Sequence, residues 1–106
     1  MIAALAEARG VLVVPHNPLS PVSTAACIQL AAAIPNFAIQ EYPLGEDSAP
    51  KNRIVKSTLT LKDGYLTVPE GPGIGIELNE SAMNDYPYKP RLYVTKLRED
   101  GAVADQ

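Results

Sequence analysis

The sequence predicts an α/β fold: one strand–helix–strand unit of the (β/α) barrel type, followed by a β-rich tail. Three observations carry that expectation. Residues 11–14 are Val-Leu-Val-Val, four consecutive β-favouring apolar residues without alternation, as in a strand buried on both faces of a parallel sheet. Residues 37–40, Phe-Ala-Ile-Gln, form a second short run, and the alanine-rich stretch between the two is long enough for a parallel crossover helix. Each run also ends at a titratable group, His16 after the first and Glu41 twenty-five residues further on. Titratable groups just past the carboxyl ends of parallel strands are how a (β/α) barrel displays its active site.

The chain opens on a helix end. Residues 2–9 read as the last two turns of an amphipathic helix, with Gly10 as the residue that stops it. Two turns are too short to nucleate alone, so the expectation is of further sequence ahead of Met1; a short but complete helix is the other reading. Ser20 caps the crossover helix and Pro21 occupies its first turn, where a missing N–H is harmless. The helix runs through Val22, Ala25, Ala26, Gln29, Leu30 and Ala33 and stops before Pro35, and its alanines let it lie close against a strand.

Past Glu41 the character changes. Residues 42–53, with Pro43, Gly45 and Pro50, read as an irregular exit loop. Residues 57–61 and 65–68 flank Lys62-Asp63-Gly64 and predict a hairpin. Residues 69–75 are a proline/glycine loop, 76–78 a short extended piece, and Asn79 is placed to cap one helical turn over 80–84. Residues 93–97 and 102–104 flank a polar turn at 98–101. The sequence thus divides near residue 42, into 1–41 and 42–106.

A chain of 106 residues, 46% hydrophobic and 20% charged, is sized for one modest core. A net charge of −3 with no lysine/arginine cluster argues against nucleic acid as a partner. No apolar run approaches the roughly 20 residues that span a bilayer, and no cationic segment precedes an apolar one at the N-terminus. The expected location is the cytoplasm. One cysteine, Cys27, excludes an internal disulfide and a cysteine metal cluster, and mid-helix among alanines it reads as a small core residue.

His16 follows Pro15, which restricts the backbone at the strand end, and imidazole can take or give a proton near neutrality. It is the catalytic candidate; a surface or hydrogen-bonded structural histidine is its plain alternative. Glu41 could orient a hydroxyl, hold a proton or bind a cation, or be a solvated strand-end carboxylate. Gly71-Pro72-Gly73-Ile74-Gly75-Ile76 lacks the glycine spacing and the following helix of a dinucleotide loop. Residues 86–91 mix tyrosines with two cations but are too short for a nucleic-acid platform and read as a packed irregular segment. Glu46-Asp47 is an acidic pair without the further ligands a metal requires.

Taken together, residues 15–22 (Pro-His-Asn-Pro-Leu-Ser-Pro-Val) and 34–42 (Ile-Pro-Asn-Phe-Ala-Ile-Gln-Glu-Tyr) resemble the end of the barrel in enolase-superfamily sugar-acid dehydratases of the galactonate and mannonate types. The segments 62–66 and 72–77 are similar to the tail those enzymes send back into their capping domain. The resemblance covers residues 3 to 106. It implies a C-terminal fragment of a (β/α) TIM-type barrel, with the last two strands and the intervening helix in 1–41, and a capping-domain tail in 42–106. It implies that His16 matches the acid/base histidine after the seventh strand and Glu41 the active-site, substrate-binding glutamate after the eighth. The cofactor implied is Mg²⁺, held by carboxylates on the third to fifth strands, none of which lies in this chain. The implied parent is a homo-oligomeric lyase that removes the proton next to a carboxylate and then loses water, with a sugar acid as substrate. The chain alone is expected to be inactive. A racemase or cycloisomerase of the same superfamily, and a free-standing small binding domain without chemistry, are the alternatives.

Overall fold

Helix α1, Ile2–Glu7, opens the fold and closes in a turn through Gly10 (φ +65°). Gly10 N–H donates to Glu7 O at 2.9 Å and Val11 N–H to Ala6 O at 2.9 Å, the paired bonds of a Schellman stop. The structure is a computed structural model that describes residues 1–90 and 95–104. Asn36 ties α1 to the first extended run: its buried side-chain amide donates to Ala3 O (3.0 Å) and Val11 O (2.9 Å).

The two predicted strands lie side by side and parallel. Val13 N–H donates to Asn36 O at 2.8 Å and Ala38 N–H to Val13 O at 3.0 Å, a parallel bridge between Val13 and Phe37. The connection is helix α2, Pro21–Ala33. Ser20, extended at φ −157°, accepts from Ser23 N–H, and Pro21 sits in the first turn as predicted. Pro21, Thr24, Ala25 and Ile28 form the buried face, at the three- and four-residue spacing that stacks side chains on one side of a helix.

The pairing is far shorter than the apolar run suggests, and it is not buried. Leu12 is 64% and Ile39 65% exposed, with Val11 and Val14 also bare. A parallel strand hides both faces only when layers cover both, and among the described residues only one crossover helix accompanies this pair. No barrel is formed by the described residues. The radius of gyration is 17.1 Å, against about 13 Å for a compact domain of this length.

The tail is a set of small closures rather than a sheet. The predicted hairpin turn forms: Asp63 and Gly64 both have positive φ (51° and 81°), as a type I′ turn requires, and Lys62 and Tyr65 exchange backbone bonds of 2.9 and 2.8 Å. Pairing stops there, so residues 57–61 and 65–68 do not form the expected ladder. Leu59 O instead accepts from the Tyr42 hydroxyl at 3.2 Å. A two-stranded ladder with no layer beneath it has little to hold it together.

A 3₁₀ turn at Lys51–Ile54 leads to an antiparallel bridge between Val55 and Leu78, flanked by the Lys56–Glu77 ion pair. Helix α3, Ala82–Asp85, packs on this turn, with Val55 and Ala82 buried. The cap of α3 is Ser81, not Asn79; the Asn79 side chain donates to Arg53 O (2.9 Å) and accepts from the Ser81 hydroxyl (2.7 Å), so it serves the loop. Tyr88 is 88% exposed, which corrects the expectation of packing over 86–90; Arg91 lies outside the described residues. Leu97 and Val103 bridge antiparallel across the predicted turn; of the strand expected at 93–97, residues 93 and 94 lie outside the described residues.

Candidate active site

The parallel register brings the two strand ends together. His16 Nδ1 lies 2.9 Å from Glu41 Oε2, and the Asn17 backbone N–H donates to the same oxygen at 2.6 Å. Two donors converging on Oε2, the Asn17 amide foremost, hold the Glu41 carboxyl below the ordinary carboxylate range, against a smaller opposing effect of desolvation. Glu41 is therefore an anion at neutral pH and accepts from Nδ1. With Nδ1 carrying the hydrogen, Nε2 is the imidazole nitrogen left to exchange a proton with whatever faces it. The His16 side chain is 80% exposed, so that nitrogen is open to a ligand.

Both residues singled out in the sequence thus meet at one edge, on the carboxyl side of the Val13–Phe37 pair. Three others belong to the same place, and none of them was a site candidate in the sequence. Asn17, Thr24 and Glu46 are fully buried. The Asn17 side-chain amide donates to Thr24 Oγ1 (2.7 Å) and to Glu41 O (3.0 Å), and the Thr24 hydroxyl donates to Glu46 Oε2 (2.6 Å). Burial pushes the Glu46 carboxyl up, more than the Thr24 bond and Lys51 pull it down. In the sequence Glu46 is one of an acidic pair without the further ligands a metal requires; the structure buries Glu46 and leaves Asp47 outside.

A cavity lies between α2 and the tail. It encloses about 570 Å³ and is mostly apolar, with Ile28, Phe37, Ile39, Tyr42, Leu61 and Tyr65 among its walls. Among the described residues no group of three or more His, Cys, Asp or Glu side chains is placed to hold a metal ion. His16 and Glu41 bond each other and Glu46 bonds Thr24, so the residues present do not fit a magnesium site. Among the described residues no helix is long and apolar enough to cross a membrane. Cys27 is half-buried on α2.

Residues 1–82 match the family model described as "Enolase C-terminal domain-like", and the chain belongs to that family. A D-galactonate dehydratase family member of Streptomyces bingchenggensis (strain BCW-1) is 38% identical over 106 residues, covering 98% of this chain and 25% of the relative. An enolase structure from Agrobacterium radiobacter with sodium and L-malate bound superimposes with a TM-score of 0.78 at 36% identity, over 96% of this chain and 29% of that one. A Burkholderia xenovorans (strain LB400) structure bearing the name L-alanine-DL-glutamate epimerase, bound to magnesium and fumarate, gives 0.77 at 32% identity, over 83% and 22%. The chain spans about a quarter of the length of the relatives it matches.

Proposed function

We propose, from the premise that this chain is an enolase C-terminal domain, that it is the carboxyl-terminal part of a Mg²⁺-dependent sugar-acid dehydratase acting on a galactonate-like substrate in the cytoplasm. In this reading residues 1–41 supply the last two strands of a (β/α) barrel and residues 42–106 a tail returning to a capping domain. The observation that carries it is the His16–Glu41 contact of 2.9 Å at the ends of parallel neighbours. The name borne by the Streptomyces relative supports the substrate class.

His16 Nε2 exchanges a proton with the substrate, either at the carbon next to the carboxylate or at the departing hydroxyl. Glu41 fixes the imidazole tautomer through Oε2 and orients substrate hydroxyls with its second oxygen. The net change is loss of one hydrogen and one hydroxyl as water. Magnesium bound elsewhere in the parent would stabilise negative charge on the substrate carboxylate; none of the described residues fits it, so the isolated chain is inactive.

The test is to assay the full-length protein containing this segment on galactonate, mannonate and related acids with Mg²⁺ in D₂O. Formation of a keto-deoxy acid supports dehydration. A second reading, racemisation or epimerisation, draws on the epimerase-named neighbour; it predicts inversion with solvent deuterium at the carbon next to the carboxylate and no loss of water. Neither product, in a full-length protein that folds, overturns the enzyme reading in favour of a binding domain.

A further inference from the structure

Glu46 is a fully buried carboxyl in the loop that follows Glu41. The turn that delivers it begins at Pro43, whose carbonyl accepts from Glu46 N–H, and passes through Gly45 at φ +71°. Its Oε2 accepts from the Thr24 hydroxyl at 2.6 Å, while Oε1 has no partner among the described residues. A buried carboxyl with one unsatisfied oxygen is destabilising, so packing alone does not account for its place here.

The order of donors supplies a reason. A hydroxyl has one hydrogen to give. Because Thr24 gives it to Glu46, its lone pairs turn toward Asn17, whose amide donates at 2.7 Å. That bond fixes the Asn17 side chain, whose same nitrogen reaches Glu41 O at 3.0 Å while the Asn17 backbone N–H holds Glu41 Oε2 at 2.6 Å. The exit loop, α2, the first strand end and the second are linked in one polarised series.

We propose that Thr24 and Glu46 are positioning residues, which fix Asn17 and through it hold the Glu41 carboxylate against His16. The proposal deepens the active-site reading and rests on it for the catalytic consequence alone. The geometry is testable without turnover.

The readout is the Asn17 backbone amide proton of the ¹⁵N-labelled full chain. A bond of 2.6 Å to a carboxylate displaces that proton downfield, and protonating Glu41 with acid removes the displacement. Thr24→Val keeps the shape of the side chain and removes the hydroxyl; Thr24→Ser keeps the hydroxyl and removes the methyl. Glu46→Gln keeps an acceptor and Glu46→Leu removes it. The expected result is that Ser and Gln keep the displacement and its acid titration, whereas Val and Leu lose the larger part of both. Retention in Val, or loss in Ser with the α2 amides still dispersed, overturns the proposal, because packing alone predicts that order. So does a wild-type spectrum without a displaced Asn17 amide. Should Val or Leu lose the α2 signals, Ser and Gln decide: loss in either with α2 intact overturns the proposal. A parent that dehydrates nothing leaves these outcomes unchanged and refutes only the enzyme reading.

Discussion

His16 and Glu41 are twenty-five residues apart in sequence and 2.9 Å apart in space, at the ends of two runs joined by a parallel bridge at Val13 and Phe37. Both come three or four positions after their bridged residue, so parallel direction delivers them to the same edge. An antiparallel pairing would have sent them to opposite ends.

Replacing His16 with Asn in the full-length parent preserves some hydrogen bonding to Glu41 but removes the titratable base. The expected loss falls on kcat, on the order of 10²–10⁴-fold, with KM much less affected. Steady-state kinetics on the dehydrated acid check this. An unchanged kcat would return His16 to a structural role.

The two carboxyls impose opposite pH dependences on stability. The Glu41 pKa is lowered on folding, so its contribution is present above the ordinary glutamate value of about 4.3 and is lost as pH falls through the folded value. The Glu46 pKa is raised, so its contribution is present below about 4.3 and is lost as pH rises through the folded value. Urea titrations of Glu46→Gln against wild type are therefore expected to favour the variant increasingly from pH 4 toward 7. Wild type is expected to lose its advantage over Glu41→Gln on acidification below pH 4.

Gly75 and Gly10 both have positive φ, +75° and +65°, yet they differ in their surroundings. A Cβ on Gly75 would lie 2.2 Å from Pro69 Cβ, whereas one on Gly10 meets nothing within 4 Å. Pro69 O also accepts from Gln29 on α2 at 2.9 Å, so displacing Pro69 frees the loop from the helix. Gly10→Ala is expected to cost about 1 kcal/mol, and Gly75→Ala more, with faster proteolysis in residues 69–75. Equal costs in thermal melts would contradict the close approach.

Leu12 is 64% exposed, so Leu12→Ser in the isolated chain is expected to change stability by no more than about 0.5 kcal/mol. If residues 11–14 are a barrel strand in the parent, the same change there removes a core side chain and costs about 2–5 kcal/mol. Denaturation of both variants compares the two environments directly. A small effect in the parent would count against residues 1–41 as barrel strands.

The sequence by itself determined the local elements: Ser20-Pro21 starts α2, Pro35 lies just past its end, Gly10 stops α1, and Asp63-Gly64 makes the turn. These are set by backbone chemistry within a few residues, so they are legible from residue types alone. The parallel sense of the two strands was legible too, since a crossover of that length leaves little alternative. Only the tertiary structure decided where burial falls. The run 11–14 carries the composition of a core strand, yet Val11, Leu12 and Val14 are more than half exposed, because burial depends on what covers a strand and not on the strand itself. The same reason hid Glu46. In the sequence it is one of an acidic pair without further metal ligands, and only the turn at 43–46 that lays it under Thr24 makes it a buried acceptor in line with Asn17, Glu41 and His16.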